Sequence, residues 1–175
     1  ELIDVHRLVT VVGAGGIGKS RLAQAAAHAW SGRWPDGVWM VEMAGLSNPE
    51  FLPNTVAQVL HVNVSSQGAV LDELVAGVAQ RDLLLVLDNC EHLLDSSAAL
   101  VQAMMAAAPN VRILATSQEP LRLPAEQQYR VVPLAVPSPA TAVDARQYGA
   151  VALFEASVRA ADPRFALNDE SLPLV

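Results

Sequence analysis

The chain has 175 residues, of which 52% are hydrophobic and 17% charged, and its 11 basic and 18 acidic residues give a formal net charge of −7. This composition excludes a disordered tail, and the acidic balance argues against a nucleic-acid-binding surface, because phosphate neutralisation needs clustered Lys and Arg. The lone cysteine, Cys90, excludes an internal disulfide, and no apolar run approaches the roughly 20 residues of a membrane span. We therefore expect a cytoplasmic, core-forming domain with no membrane partner.

Short apolar runs of strand length alternate with longer helical patterns along the chain. In chain order, the predicted elements are a strand at 7–12, a helix at 20–30, a strand at 37–43, helices from 48 to about 60 and from about 69 to 80, a strand at 83–87, a helix at 91–108, strands at 111–116 and 128–132, and a helix at 147–161. Strands separated by helices of this length imply right-handed crossovers. The expected fold class is α/β, with a parallel sheet between two helical layers.

The composition changes after the fifth predicted strand. Three prolines in residues 133–139 (PLAVPSP) indicate a stiff, extended linker. We expect a nucleotide-binding domain at 1–132, a Pro-rich linker at 133–140 and the start of a truncated helical module at 141–175. That last segment is too short to build a core of its own, so we expect the chain to be a piece of a longer protein.

Residues 13–20 (GAGGIGKS) match the phosphate-binding loop pattern G-x-x-x-x-G-K-[ST] in full, after a predicted strand and at the start of a predicted helix. Glycines let successive backbone N–H groups turn inward onto phosphate oxygens, and the helix N-terminus adds partial positive charge. Lys19, the single lysine of the chain, would reach the β- and γ-phosphates, and the Ser20 hydroxyl would bind Mg²⁺. The predicted nucleotide-binding residues here are Gly13, Ala14, Gly15, Gly16, Ile17, Gly18, Lys19, Ser20 and Arg21.

The same stretch also matches G-x-G-x-x-G (Gly13, Gly15, Gly18), the fingerprint of dinucleotide-binding domains. Glu42 ends the second strand, where a ribose-binding acid would lie. Against this alternative, a dinucleotide loop has no use for Lys-Ser directly after its last glycine, and it does not predict a second acidic strand end downstream. The eight-residue motif in its strand–helix context favours the P-loop.

Residues 83–88 (LLLVLD) form an apolar strand that ends in a carboxylate, as a Walker B segment does. Asp88 would hold Mg²⁺ from the side opposite Ser20, mostly through water. Many P-loop ATPases place a second acid next, but Asn89 is a poor proton acceptor, which leaves Glu91 as the candidate general base. The alternative for Glu91 is a first-turn acid that complements a helix dipole.

Three polar residues, Thr116, Ser117 and Gln118, end the fourth strand, which in many such ATPases lies between the P-loop strand and the Walker B strand. Thr116 or Ser117 could detect the γ-phosphate by hydrogen bonding, and a simple strand-end turn is the alternative. All three join the predicted nucleotide-binding residues, while the predicted catalytic residues are Lys19, Asp88 and Glu91, and the predicted metal ligands are Ser20 and Asp88.

Four segments together resemble the nucleotide-binding domain of the STAND-class (NB-ARC, apoptotic-ATPase-like) P-loop NTPases, in particular the bacterial branch found in large transcriptional regulators. They are RLVTVVGAGGIGKSRLA (7–23), LLLVLDNCEHLL (83–94), ILATSQEPLRLPAE (113–126) and YRVVPLAVP (129–137). The resemblance implies a mainly five-stranded parallel sheet, with ATP, ADP and Mg²⁺ as ligands. It also implies a slow, nucleotide-controlled switch that forms ATP-dependent homo-oligomers, with any DNA contact made by a neighbouring domain.

Two departures from this family bear on hydrolysis. Relatives commonly have Thr-Ser-Arg where this chain has Thr116-Ser117-Gln118, and the uncharged Gln118 would weaken discrimination between ATP and ADP. Asn89 replaces the second acid of many relatives. We expect an ATP/ADP-binding switch module with weak Mg-dependent ATPase activity. The alternatives are an autonomous P-loop ATPase or kinase, and a degenerate scaffold that binds nucleotide without hydrolysing it.

Overall fold

The computed structural model describes residues 2–65, 69–135, 148–162 and 164. Within these residues, the β-strands are β1 (Leu8–Val12), β2 (Val38–Glu42), β3 (Leu84–Asp88), β4 (Arg112–Ser117) and β5 (Glu126–Arg130). The α-helices of the same residues are α1 (Leu2–Val5), α2 (Lys19–Ala29), α3 (Leu52–Val59), α4 (Val70–Val78), α5 (Leu94–Ala107) and α6 (Gly149–Ala161). Short 3₁₀ turns lie at Pro49–Phe51 and Cys90–His92.

The strands form one parallel sheet in the order β2-β3-β4-β1-β5. Strand β4, late in the chain, lies between β1 and β3, as the sequence analysis predicts. Its register sets Ser117 beside Val12 of β1 and Ala115 beside Leu87 of β3. The carboxyl ends of β1, β4 and β3 are therefore neighbours at one edge of the sheet. The predicted α/β class and parallel sheet are confirmed.

Helices cover both faces of the sheet, which gives three layers. Side chains alternate between the faces along each strand, so Leu85 and Leu87 pack with α3, α4 and α5 in the larger core. Leu84 and Val86 of the same strand pack on the opposite face with Val9 and with Ala23 of α2. Because both faces are covered, all five residues of β1 and of β3 are buried.

Arg7 ties the start of β1 to the end of α5. Its guanidinium donates to the carbonyl oxygens of Met105 (3.2 Å), Ala108 (2.5 Å) and Val111 (3.3 Å). The bonds to Met105 and Ala108 satisfy carbonyl groups that the end of α5 leaves without partners. Burial lowers the pKa of Arg7, and the nearby positive charge of Arg112 lowers it further. The bonds hold α5 against the strand that leads into the P-loop.

The helix predicted at 91–108 is wrong at its first turn. Asn89 adopts a left-handed backbone conformation (φ 70°), and Cys90–His92 form a 3₁₀ turn. Leu93 then leaves helical geometry (φ −130°) before α5 begins at Leu94. The interruption separates Glu91 from the first turn of α5, so its alternative role as a helix-dipole partner of that helix loses its basis.

Strand β5 spans Glu126–Arg130, two residues earlier at both ends than the predicted 128–132, and its first residue also contacts the preceding loop. The Glu126 carboxylate accepts hydrogen bonds from the backbone N–H groups of Leu121 (2.8 Å) and Arg122 (2.9 Å). Arg122 has a positive φ of 61°, which marks the tight bend between β4 and β5. Glu126 therefore organises the loop that brings β5 beside β1.

The chain divides into two compact units, Glu1–Val131 and Val132–Val175. In the second unit the structure describes α6, on which Leu153 and Phe154 are more than two-fifths exposed. The linker predicted at 133–140 lies outside the described residues from 136 onward, as does most of the predicted helical module on either side of α6. Across the described ranges, no helix has the length and apolar character needed to cross a membrane.

Candidate nucleotide-binding site

The loop between β1 and α2 curls because two of its glycines take left-handed backbone conformations. Gly16 has a φ of 74° and Gly18 a φ of 99°, a region that L-residues with a side chain occupy at a steric cost. An added Cβ at either position would meet no heavy atom within 4 Å. Backbone handedness therefore requires glycine at these two positions, whereas at Gly13 an added Cβ would lie 3.1 Å from Ile17 Cγ2.

The start of α2 leaves backbone N–H groups open. Gly18 is its N-cap residue and offers no side chain to accept a hydrogen bond. The first N–H groups of a helix have no intrahelical acceptor, so an anion can satisfy them. Ser20 and Arg21 lie in this first turn. The helix end therefore fits a phosphate group, as the loop motif predicts.

The Lys19 ammonium lies over the loop. Its Nζ donates to the Ala14 carbonyl oxygen at 3.0 Å, and the residue is only 7% exposed. Within the described part of the chain this is its one acceptor, although an ammonium has three N–H donors. A buried cation with unused donors is unfavourable unless an anion reaches it. Lys19 thus fits the role of a phosphate ligand.

Asp88 at the end of β3 is held by Thr116 of the neighbouring strand. The Thr116 hydroxyl donates to Asp88 Oδ1 at 2.5 Å and accepts from the Asn89 backbone N–H at 2.9 Å. Thr116 is fully buried and Asp88 is 8% exposed. A hydroxyl carries one hydrogen, and Thr116 donates it to the Asp88 carboxylate. The hydroxyl orients Asp88 and has no hydrogen left to donate to a phosphate.

Ser117 is also fully buried, and it links strand ends. Its carbonyl oxygen accepts from the Gly13 backbone N–H at 3.3 Å, which ties β4 to the first residue of the P-loop. Its hydroxyl accepts from the Glu119 backbone N–H at 3.3 Å and stabilises the bend after β4. These contacts match the strand-end turn described above as the alternative role.

Gln118, the residue after β4, lies between Glu91 and the P-loop. Its Nε2 donates to Glu91 Oε1 at 3.0 Å. The same nitrogen lies 3.7 Å from the point where a Cβ on Gly15 would be. The other carboxylate oxygen, Glu91 Oε2, is buried and has no hydrogen-bond partner among the described residues. Spacing in the sequence gave no signal of this pair, because 27 residues separate its members.

The turn that carries Glu91 is fixed by its neighbours. The Asn89 side-chain amide lies 3.3 Å from His92 Nδ1, and His92 Nε2 lies 3.1 Å from the Leu46 carbonyl oxygen. An amide N–H donor on Nδ1 leaves the Nε2 hydrogen for the carbonyl. Burial raises the pKa of the Cys90 thiol to about 12, so this thiol stays protonated and unreactive at neutral pH. His92 and Cys90 therefore support the turn.

The sheet order excludes the dinucleotide-binding alternative. In that fold the strand carrying the ribose-binding acid lies beside the glycine-rich strand. Here β3 and β4 separate β2 from β1, and Glu42 lies beside Asp88 at the far side of the sheet. Lys19 instead follows the carboxyl end of β1, and Asp88 and Glu91 lie at and just after the carboxyl end of β3, with β4 between these two strands. This is the edge where ligands bind in α/β sheets. Over the described residues, no group of three or more His, Cys, Asp or Glu side chains could hold a metal ion.

The fold and the loop define the class of protein, an α/β domain with the fold of the P-loop NTPases. A STAND protein with a tetratricopeptide-repeat sensor from Pyrococcus horikoshii superposes with a TM-score of 0.54 at 13% identity, over 94% of this chain and 25% of that one. The ORC2 protein of Aeropyrum pernix superposes with a TM-score of 0.51 at 15% identity, over 65% of this chain and 35% of that one. At these identities the likeness shows the fold alone.

Sequence relatives come from mycobacteria, and no protein-family model matches the chain. A Mycobacterium tuberculosis protein named "Putative HTH-type transcriptional regulator" is 38% identical over 135 residues, which cover 77% of this chain and 15% of that protein. A second protein of the same organism, named as uncharacterized, is 31% identical over 171 residues, which cover 98% of this chain and 41% of that protein. The chain thus spans less than half the length of either relative.

Proposed function

We propose that this chain is the ATP- and ADP-binding switch module of a larger signalling protein, a transcriptional regulator of the STAND class. Slow Mg-dependent hydrolysis would control its conformation and its self-association. The proposal depends on one observation above all: the buried Lys19 ammonium with unused donors lies at the same sheet edge as the buried Asp88 carboxylate. A cation for phosphate and an acid for Mg²⁺ at the same edge of the sheet are two requirements of phosphoryl chemistry.

Residues of the loop and of the two strand ends would have separate roles in binding phosphate, binding Mg²⁺ and accepting a proton. Lys19 and the open N–H groups of the first turn of α2 would bind the β- and γ-phosphates. Ser20 and Asp88 would hold Mg²⁺, which when bound supplies positive charge against the phosphates. Thr116 of the neighbouring strand orients Asp88 through the hydrogen bond from its hydroxyl. Glu91, the acid that remains near the loop, would accept a proton from the attacking water.

The regulatory part of the proposal draws on the relatives and on charge. The relative that is 38% identical carries a name that places it among helix-turn-helix transcriptional regulators. This chain has a net charge of −7, which disfavours direct DNA binding by this segment. We therefore assign DNA contact to a domain outside it, and residues 1–132, 133–140 and 141–175 to nucleotide binding, linker and the start of a helical module.

Calorimetry with ATP and ADP, with and without Mg²⁺, tests nucleotide binding. Lys19→Ala should weaken ATP binding by tenfold or more, a loss of about 1.4 kcal/mol, because it removes the buried cation. Gln24→Ala, which changes an exposed residue of the same helix, is the matched control and should leave affinity unchanged. If both variants bind ATP as the wild type does, the proposed site is wrong.

The rate of ATP hydrolysis tests whether the chain is a slow switch. We expect hydrolysis well below the roughly 10 per second that is typical of enzymes, because no carboxylate follows Asp88 directly. Steady-state phosphate release at saturating ATP and Mg²⁺ gives the rate. A rate at or above that typical value would favour an autonomous ATPase, and binding without any hydrolysis would favour a nucleotide-binding scaffold.

A further inference from the structure

A charged cleft lies at the amino-terminal edge of the sheet, opposite the P-loop. It has a volume of about 210 Å³ and is lined by Asp4, Arg33, Trp34, Asp82 and Arg112. Asp82 comes shortly before β3, and Arg112 is the first residue of β4. Because a strand rises about 3.3 Å per residue, Asp82 lies about 20 Å from Asp88 at the other end of β3. The cleft is therefore separate from the candidate nucleotide site.

Backbone hydrogen bonds fix the walls of this cleft. The Asp82 N–H donates to Asp36 Oδ2 at 2.7 Å, and the Asp36 N–H donates to the Asp82 carbonyl oxygen at 3.0 Å. The Arg112 N–H donates to the Leu83 carbonyl oxygen at 2.9 Å, which sets β4 beside the residue that follows Asp82. Arg112 Nε donates to the Ile3 carbonyl oxygen at 3.0 Å and ties α1 to β4. A cleft with walls held in this way is already formed before a ligand enters, which lowers the cost of binding.

Two of the four charged side chains compensate each other. The Arg33 guanidinium donates to the Asp4 carboxylate. Its central carbon also lies 5.8 Å from the ring centroid of Trp30 and 5.3 Å from that of Trp34, distances at which a cation is attracted to an aromatic face. Arg33 and Asp4 therefore form a wall of the cleft whose charges are already balanced.

The other two charged side chains, Arg112 and Asp82, have no such partner. Arg112 uses Nε on Ile3, so Nη1 and Nη2 keep four N–H donors, and no acceptor for them occurs among the residues that the structure describes. In the same described ranges, the Asp82 carboxylate accepts no hydrogen bond and forms no ion pair, not even with Arg112 across the cleft. One cation and one anion, both half-buried, thus face the same space and do not pair.

We propose that this cleft binds a free α-amino acid as its zwitterion. The ligand carboxylate accepts two parallel hydrogen bonds from the Nη groups of Arg112, and the ligand ammonium donates to the Asp82 carboxylate. A simple anion would be repelled by Asp82 and a simple cation by Arg112, so a molecule that carries both charges fits best. The volume is below the roughly 300–1,000 Å³ of pockets for drug-sized ligands, which favours an amino acid with a small side chain. This inference goes beyond the proposed function and does not depend on it.

An NMR titration of the ¹⁵N-labelled full chain at neutral pH tests the inference with three probes of similar size. L-alanine carries both charges, propionate lacks the ammonium and ethylamine lacks the carboxylate. We expect L-alanine to shift the amide signals of Asp82 and Arg112 with a Kd of about 1 mM or lower. Propionate and ethylamine should each bind at least about tenfold more weakly, because each lacks one charged hydrogen-bonding group.

Two variants test the separate roles of the unpaired charges. Arg112→Gln and Asp82→Asn should each weaken L-alanine binding by about tenfold or more. Asp82→Asn should bind propionate at least as tightly as the wild type does, because the repulsion is removed; damage to the fold would not give this result. If Arg112→Gln fails to fold, Arg112→Lys keeps the positive charge without the planar pair of donors, and a loss of L-alanine affinity is again expected.

Matched control variants remove the same charges elsewhere. Arg122→Gln changes an exposed arginine of the loop after β4, and Asp72→Asn an exposed aspartate of α4. Both should bind L-alanine as the wild type does. The inference is overturned if L-alanine does not saturate the shifts at about 10 mM, if propionate binds as tightly as L-alanine, or if stable Arg112→Gln and Asp82→Asn variants keep wild-type affinity.

One more variant separates this inference from the proposed function. Lys19→Ala should keep the L-alanine Kd within about twofold of the wild type, because Lys19 lies at the opposite edge of the sheet. If the wild type binds ATP and not L-alanine, the amino-acid site is wrong and the proposed function stands. If it binds L-alanine and not ATP, the proposed function is wrong and the amino-acid site stands.

Discussion

Two acid–partner pairs lie side by side at the carboxyl edge of the sheet, and they differ in how they are held. In the inner pair, the fully buried Thr116 donates to the Asp88 carboxylate, which is 8% exposed, at 2.5 Å. In the outer pair, Gln118 donates to Glu91 at 3.0 Å, and one Glu91 oxygen has no partner in the described residues. Both partners of the inner pair are thus satisfied within the fold, while the outer pair leaves one carboxylate oxygen without a partner in the described residues.

The largest expected effect on stability comes from the inner pair. Thr116→Val keeps the shape of the side chain but leaves the Asp88 carboxylate and the Asn89 N–H without their partner. An unsatisfied buried group costs about 1–3 kcal/mol, so the free energy of unfolding should fall by that amount. Urea unfolding of Thr116→Val measures it, with Thr55→Val as control, since Thr55 is a half-buried threonine of α3 whose hydroxyl donates to the Phe51 carbonyl oxygen. Equal losses in the two variants would show that the loss at Thr116 is no larger than that of any threonine hydroxyl, and the inner pair would have no special contribution.

The second prediction concerns how the free energy of unfolding changes with pH. It tests Cys90, in the 3₁₀ turn that follows Asp88. Burial raises the pKa of Cys90 from 9.0 to about 12, so above pH 9 the unfolded chain loses a thiol proton that the native chain keeps. The stability contribution is therefore complete below pH 9 and declines as the pH rises toward 12. At pH 10 the loss should be about 1 kcal/mol relative to pH 8. Chemical unfolding of the wild type and of Cys90→Ala at both pH values measures this; an equal decline in both would contradict it.

The smallest effect should come from the outer pair. Gln118 and Glu91 form a hydrogen bond at the rim of the site, so Gln118→Ala should change the free energy of unfolding by less than about 0.5 kcal/mol. The same urea experiment provides the measurement. A loss as large as that of Thr116→Val would show that Gln118 is a structural residue, and the contrast between the two pairs would disappear.

The sequence was sufficient to predict the parallel sheet, because β1 and β3 are continuous apolar runs whose burial on both faces follows from their composition. It was also sufficient for the P-loop, whose residues are adjacent in the chain. The two pairs could not be predicted, because their members are 28 and 27 residues apart and meet only once β4 enters the sheet beside β3. The 3₁₀ turn before α5 was missed for a similar reason, since tertiary contacts at Asn89 outweigh the local helical pattern.

The empty space around Gly16 and Gly18 has a consequence for chirality. Since no atom lies within 4 Å of an added Cβ at either position, the loop excludes L-alanine by its backbone conformation and not by its size. D-alanine prefers the positive φ that these residues already have. A semisynthetic chain with D-alanine at residue 16 should therefore keep the curl of the loop. The same chain with L-alanine at residue 16 should lose it. The curl of the loop is therefore specified by backbone handedness at two α-carbons.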